Sequence, residues 1–198
     1  MMNMMLAPLP KVVFIDGKKY KINSNFRSSI KFELLMQDEN LDKKEKLIRA
    51  LKLYYPIIPN NINMAIDKII WFYEAGKENE KVEGKSKLNN EQIYSFEYDD
   101  DYIYSAFLNQ YNIDLNSIKY LHWWKFKALF KSLNESNEIV KIMQYRAIDI
   151  NKIKDNEQKE FYRKMKKVYG IPLSKNEQEK LNAIEEALMN GGDLSKIL

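Results

Sequence analysis

The chain has 198 residues, 45% of them hydrophobic, and its 32 basic and 28 acidic side chains give a formal net charge of +4. This composition excludes a disordered tail, because unfolded chains are poorer in apolar residues. The absence of cysteine excludes thiol catalysis and thiolate zinc sites, and the single histidine, His122, excludes a metal site built from several histidines. We therefore expect a folded protein that needs no cofactor and is not an enzyme.

Lysine dominates the basic residues, with 28 lysines against four arginines. Nucleic-acid recognition favours the planar fork of arginine over the point charge of lysine, so this balance argues against a nucleic-acid partner. The opening MMNMMLAPLP lacks the basic start of a secretory signal, and no stretch reaches the ~18 consecutive apolar residues of a membrane span. The sequence therefore predicts a cytoplasmic protein without a membrane partner.

The first predicted elements are a β-hairpin and three helices. Val12–Ile15 form a short apolar run, Asp16–Gly17 is a pair typical of tight hairpin turns, and Tyr20 and Ile22 alternate with lysines. Each helix that follows is preceded by side chains that can accept a hydrogen bond from its first turn. The three helices are expected from Phe26 to about Glu39, from Asp42 to Pro56, and from Asn60 or Asn61 to Gly76.

A charged segment divides the chain into two predicted lobes. Residues 77–90, KENEKVEGKSKLNN, contain seven charges and two apolar side chains, too few to offset the entropy of ordering the segment. We interpret it as a flexible linker between a lobe of hairpin and helices, residues 1–76, and a helical lobe, residues 91–198. The predicted fold class is mainly α with a small N-terminal β-hairpin, an α+β multi-helix globular protein.

The second lobe begins with an acidic cluster, Glu97 and Asp99–Asp101, placed where a helix N-terminus attracts negative charge. We interpret the cluster as a helix cap rather than a metal site, because a regular apolar helix follows at once and calcium loops need alternating ligands. That helix should stop near Asn112. The later helices are expected from Asp114 or Asn116 through Phe130, over Ile139–Arg146, from Asp155 or Asn156 to Gly170, and after the capping box Ser174–Glu177.

The most aromatic stretch of the chain is Tyr120–Phe130, in which apolar side chains cover most of the helix circumference. This pattern predicts a central, buried helix. His122, beside Trp123 and Trp124, could act as a general base or as part of a stacking platform for single-stranded nucleic acid. The core interpretation is favoured, because no nucleophile or orienting group accompanies the histidine in a recognisable motif.

Two further segments are candidates for binding a partner. The apolar N-terminus can bind another protein or fold back on its own lobe, since methionine adapts to varied apolar surfaces. The basic stretch Lys152–Lys167 can form a solvated face or dock an acidic partner or phosphate. The candidate partner-binding residues are Met1, Met2, Met4, Met5 and Leu6, with any exposed parts of Tyr102, Tyr104, Phe107, Trp123, Trp124 and Phe130.

The order of several strings resembles one family across most of the chain. These strings are LAPLP, VFIDGKKYKIN, NFRSSIKFELLM, YDDDYIYSAFLNQYNIDL, YLHWWKFKALFKSL and KIMQYR. They are similar to the bacteriophage tail-module proteins known by gene-product number fifteen. Aromatic-rich strings in fixed succession carry most of this resemblance, because composition alone does not produce them.

The resemblance implies a protein of the tail-assembly region of phages or prophages, encoded near the tape-measure gene. It implies a tail assembly chaperone that binds and solubilises the tape-measure protein in the cytoplasm of the bacterial host, with other tail proteins and self-association as further contacts. One alternative is a structural tail or connector component of the virion. Another is a nucleic-acid-binding regulator that uses Lys152–Lys167.

Overall fold

The computed structural model describes residues 3–77 and 92–173, and beyond them residues 178, 182–184 and 186. Within this part of the chain the protein is mainly helical, with a short 3-10 turn and one two-stranded antiparallel sheet, which confirms the predicted fold class. The elements are β1 (Val12–Ile15), β2 (Lys18–Lys21), α1 (Phe26–Gln37), α2 (Lys43–Tyr54), α3 (Ile62–Tyr73), α4 (Asp100–Tyr111), α5 (Trp123–Lys131), α6 (Glu138–Ala147), the 3-10 turn (Ile150–Lys152) and α7 (Asn156–Val168).

The hairpin forms as its sequence pattern predicts. Asp16 and Gly17 both have positive φ, 49° and 73°, as the tight turns that match the strand twist require. Val13 and Ile15 point into the core, and Phe14 between them points outward. This alternation follows from the two-residue period of a strand.

The predicted caps of the first three helices are confirmed. The side chains of Asn25, Asp42 and Asn61 each accept a hydrogen bond from a backbone N–H in the first turn of α1, α2 and α3. These bonds satisfy donors that have no partner within the helix. After α3 the chain turns through Gly76, whose φ of +70° lies in the region that favours glycine.

Both sides of the predicted linker contribute to one hydrophobic core. The ring of Phe126 in α5 stacks on Phe26 of α1 at a centroid distance of 5.1 Å and on Phe107 of α4 at 4.9 Å. The two predicted lobes are therefore joined by a shared interior. The predicted linker spans residues 77–90. Of these, only Lys77 is among the described residues.

Helix α5 begins later than the sequence pattern predicts. The expected start at Asp114 or Asn116 is wrong, because the chain at residues 121–123 runs extended beside residues 24–26. The Phe26 N–H donates to the Leu121 carbonyl, and the Trp123 N–H donates to the Ser24 carbonyl, both at 2.9 Å. These bonds to a distant segment use the backbone groups that an earlier helix start would need.

The remaining predicted helices form near their expected bounds. Helix α4 ends at Tyr111, followed by the C-cap Asn112 with a left-handed φ of 53°, and Asp155 caps α7 with its side chain. Helix α6 covers the apolar pattern around Ile139 and Ile142, both of which are buried. The capping box Ser174–Glu177 lies outside the described residues.

Candidate functional site

The two adjacent tryptophans of α5 lie in the interior. The Trp123 indole N–H donates to the Tyr73 carbonyl at 2.8 Å, and the Trp124 indole N–H donates to the Phe72 carbonyl at 2.7 Å. Both acceptors belong to the last turn of α3, whose final carbonyls have no partner within the helix. The tryptophans therefore fasten the end of α3 to α5, and neither presents a surface to a partner.

His122 is the N-cap of α5 and is buried. Its Nδ1 accepts a hydrogen bond from the Trp124 N–H at 3.1 Å, and its Nε2 lies 2.9 Å from the Pro10 carbonyl oxygen. Since that carbonyl can only accept, these partners assign the neutral ring with its proton on Nε2. Burial lowers the pKa of His122, and the nearby Lys11 lowers it further, against the opposing effect of the Pro10 bond. This confirms the core interpretation, with both ring nitrogens engaged inside the protein.

The acidic cluster before α4 is only partly a helix cap. Asp100 and Asp101 lie in the first turn of α4 as expected, but Asp99 caps no N–H of that helix. Its buried carboxylate instead forms a two-point ion pair with Arg146 of α6 and accepts a hydrogen bond from the Ser95 N–H at 2.8 Å. The cap interpretation of Asp99 is therefore wrong, because a buried carboxylate binds the strongest available donor, here a guanidinium.

A polar cluster joins α1, α3 and α5 near the start of the predicted linker. The Tyr73 hydroxyl donates to the Glu33 carboxylate, and the Lys127 ammonium donates to the Tyr73 carbonyl at 3.1 Å. Burial raises the pKa of Glu33, against the lowering effects of the Tyr73 bond and of Lys127. Burial also lowers the pKa of Lys127. The cluster ties the three helices together through these hydrogen bonds.

The buried polar groups of the described residues are all used internally. Every buried side-chain nitrogen and oxygen in the described ranges has a hydrogen-bond partner. Within the same residues, no group of three or more histidine, aspartate or glutamate side chains could hold a metal ion. The buried polar groups of the described residues therefore bond to partners within the protein.

The N-terminal arm, residues 3–7, exposes the largest apolar side chains near the chain start. Met5 is 89% exposed and Leu6 83%, whereas Met4 is 42% exposed. The Asn3 carbonyl accepts hydrogen bonds from the N–H groups of Leu6 and Ala7, which closes a turn. The arm is anchored a few residues later, where the Pro10 carbonyl binds His122. Met1 and Met2 lie outside the described residues.

The other candidate residues divide by exposure. Phe107 is fully buried, as are both tryptophans of α5, so none of the three offers surface to a partner. Tyr102, Tyr104 and Phe130 are half-buried, and Tyr102 and Phe130 pack against the core. Desolvation raises the pKa of the Tyr104 hydroxyl, and the neighbouring Asp114 carboxylate raises it further. The candidate partner-binding surface therefore consists of the arm and the partly exposed edges of Tyr102, Tyr104 and Phe130.

Helix α7 places the basic stretch at the surface. None of its residues is buried, and its apolar side packs on Tyr145 of α6 through Phe161 and Tyr162. Its lysines are exposed or half-buried, as the solvated-face interpretation predicts. The Tyr169 carbonyl at its C-terminal end accepts a hydrogen bond from Arg146 at 2.6 Å. Helix α7 is thus bonded to α6 at its C-terminal end, and its basic side faces solvent.

Sequence reasoning missed the Asp99–Arg146 ion pair and the His122 cap. The only signal for the ion pair was that Arg146 is one of just four arginines, a residue type suited to two-point pairing with carboxylates. The signal for the cap was a polar side chain directly before an aromatic helix. Histidine is uncommon in that role, so the pattern did not indicate it.

The fold and these surfaces define a mainly helical protein with an N-terminal hairpin and an exposed apolar arm. The family model described as bacteriophage Gp15 protein matches residues 5–171 of the chain. The chain belongs to this phage protein family, which confirms the resemblance drawn from its aromatic strings. No curated protein and no solved structure matches the chain. Within the described residues, no helix combines the length and apolar character needed to cross a bilayer.

Proposed function

We propose that this protein is a non-enzymatic tail assembly chaperone. It binds the phage tape-measure protein in the host cytoplasm and keeps it soluble until the tail tube assembles. The proposal rests on membership of the bacteriophage Gp15 protein family and on one structural observation. That observation is the nearly complete exposure of Met5 and Leu6 in an arm whose base is anchored to the core.

The chemistry of the arm suits an apolar helical client. Unbranched methionine side chains adjust to differently shaped apolar surfaces, as promiscuous protein-binding sites do. Because the bond between Pro10 and His122 holds the base of the arm, the arm stays close to the folded body while its tip adapts. Burying two side chains of this kind stabilises a complex by about 3–5 kcal/mol before the entropy of ordering the arm is subtracted.

The interior supports a binding role over catalysis. In the described ranges, Glu33, Lys127 and His122 have pKa values shifted by burial, and each binds a partner within the protein. A catalytic site needs groups of this kind aimed at a substrate, together with a nucleophile or metal.

Co-expression with the tape-measure protein tests the proposal. The wild-type chain should increase the soluble fraction of the tape-measure protein and co-purify with it. A Met5→Ser/Leu6→Ser variant should co-purify less, because it replaces the exposed apolar tip without touching the core. The matched control is Ile57→Ser/Val168→Ser, which changes two apolar side chains that are also strongly exposed but lie elsewhere.

Two outcomes would count against the proposal. If the tape-measure protein stays insoluble with the wild-type chain, the chaperone role is wrong. If both double variants co-purify equally well, the arm is not the binding surface. Mass spectrometry of purified virions adds a separate test, since a chaperone should be absent from mature particles and abundant copies would indicate a structural tail component.

A further inference from the structure

An open cleft of about 330 Å³ lies between the base of the hairpin, the start of α1 and the segment before α5. Two lysines, one from each end of the hairpin, stand at this cleft among neutral polar side chains and one apolar residue. Among the described residues, no carboxylate lines it. The lining residues that matter for the argument are Lys11, Lys21, Ser24, Ser28 and Tyr120.

The neutral groups around the cleft are largely occupied. Ser24 and Tyr120 share a hydrogen bond between their hydroxyls at 2.8 Å. The first N–H groups of α1 are also bonded, since Phe26 donates to the Leu121 carbonyl and Arg27 to the Asn25 side chain. These N–H groups are therefore not available to a ligand. The groups that remain to bind one are the ammonium groups of Lys11 and Lys21.

Both lysines carry charge that the fold does not neutralise locally. Lys11 lies over the Tyr120 ring, with its Nζ 5.1 Å from the ring centroid, and this contact holds the ammonium at the cleft. The ion pairs of the described residues all lie elsewhere in the protein, so neither Lys11 nor Lys21 is paired with a carboxylate there. The cleft thus combines two ammonium groups with an aromatic wall.

We propose that this cleft binds an acidic segment of a protein partner. Two carboxylates of the segment lie opposite Lys11 and Lys21, and its apolar atoms contact the Tyr120 ring. The site is separate from the N-terminal arm and does not depend on the chaperone function. It gives the protein a second contact of opposite character, one that recognises charge instead of apolar surface.

The geometry favours carboxylates over nucleic-acid phosphates. Phosphate sites commonly use arginine forks and free N–H groups at helix starts. Here the nearby arginine, Arg27, donates to the carbonyls of Leu115 and Asn116 at 2.6 and 3.0 Å, and the helix N–H groups are occupied. Two lysines alone supply point charges, which suit the separated carboxylates of an acidic peptide.

Fluorescence anisotropy with synthetic peptides tests the site on the purified full chain. The probe is a labelled peptide that alternates glutamate and leucine, compared with the same peptide carrying glutamine in place of glutamate. We expect the acidic probe to bind more tightly than its neutral analogue and its affinity to fall with added salt. Each of Lys11→Gln and Lys21→Gln should weaken binding about threefold, and the double variant about tenfold.

The control variant Lys44→Gln/Lys131→Gln makes the same change in net charge at exposed lysines that do not line the cleft. It should bind the acidic probe like the wild type. Equal weakening by the two double variants would overturn the proposal, as would equal affinity for the neutral peptide. Displacement of the acidic probe by single-stranded oligouridine at lower concentration would replace it with a nucleic-acid site.

A second measurement keeps the test independent of any loss of folding. Amide chemical shifts of Ser24, Ser28 and Tyr120 should move when the acidic probe is added to the wild-type chain. If shifts move only at α7 instead, the probe binds the basic helix, and the cleft proposal is wrong. Because no tape-measure protein is present, the result is separate from that of the chaperone test.

Discussion

The guanidinium of Arg146 holds both carboxylate oxygens of Asp99 in the interior, at 2.6 and 2.8 Å. The same guanidinium donates to the carbonyls of Tyr169 and Ile93. One side chain of α6 thereby joins the start of α4, the end of α7 and the segment that follows the predicted linker. Contacts between such distant segments make this pair a central connection of the helical part of the protein.

Breaking this ion pair should strongly destabilise the protein. Asp99→Asn or Arg146→Gln should lower the free energy of unfolding by about 3–5 kcal/mol, because each leaves a buried charge without its partner. Urea denaturation measures the change. The control Arg163→Gln removes an exposed pair with Glu160 and should cost less than about 1 kcal/mol.

The double variant Asp99→Asn/Arg146→Gln tests the reason for the loss. It should cost less than the sum of the two single variants, since it leaves no unpaired buried charge. Additive losses would show that packing, and not the ion pair, dominates at this position.

Gly76→Ala should be more damaging than Gly17→Ala, although both glycines have a φ near +70°. A Cβ at Gly76 would lie 2.6 Å from Cη2 of Trp124, whereas a Cβ at Gly17 would meet no atom within 4 Å. The Trp124 ring cannot easily move, because its indole N–H is bonded to the Phe72 carbonyl.

We expect a loss of about 1 kcal/mol for Gly17→Ala from backbone strain alone, and about 3 kcal/mol for Gly76→Ala from strain and overpacking. Thermal unfolding of the two variants side by side measures the difference. Equal losses would mean that the indole shifts at little cost.

His122 should make stability depend on pH in a narrow window. Its pKa in the folded protein is lowered by burial, so the unfolded chain takes up a proton first as the pH falls. The contribution to stability is complete above the ordinary pKa of about 6.5 and is lost as the pH falls from there through the lowered folded pKa.

The single histidine allows a direct measurement by NMR titration of its ring. The midpoint in the folded protein should lie below 6.5. In urea unfolding, His122→Asn, which can still cap α5 but does not titrate, should lose less stability than the wild type between pH 6.5 and 5. A midpoint above 6.5 would contradict the neutral, doubly bonded ring.

Trp124→Phe should lower the free energy of unfolding by about 3 kcal/mol. The change removes the indole donor from the Phe72 carbonyl, which stays buried, and leaves a small cavity. Trp71→Phe is the matched control, because Trp71 is half-buried and packs against the edge of the same core. It should cost about 1 kcal/mol in the same denaturation experiment, and equal losses would argue against a special role for the Trp124 donor.

Local features of the fold could be predicted because the responsible residues are neighbours in the chain. Asn25 and Asp42 accept bonds from N–H groups two or three residues away, and Gly76 and Asn112 adopt the positive φ that ends a helix. The sequence left two alternatives for the apolar N-terminus, binding another protein or folding back on its own lobe. The strong exposure of Met5 and Leu6 argues against folding back for these two side chains.

The late start of α5 could not be predicted from its own sequence. Apolar spacing continues upstream of Trp123, but backbone bonds from residues 24–26 hold that stretch extended. The capping role of His122 and the pairing of Asp99 with Arg146 likewise depend on segments far away in the chain. Propensity within a short window carries no information about such partners.

The sequence by itself determined the helical class, the hairpin turn, most helix ends and, through its aromatic strings, the phage family. Each of these depends on residues a few positions apart, where backbone preference and first-turn hydrogen bonds decide the outcome. Only the tertiary structure decided which aromatic side chains lie in the interior. It also decided that Asp99 pairs with Arg146 and that Lys11 contacts the Tyr120 ring beside a cleft. Those features depend on the packing of elements about 50 to 110 residues apart, which brings together groups that no local pattern connects.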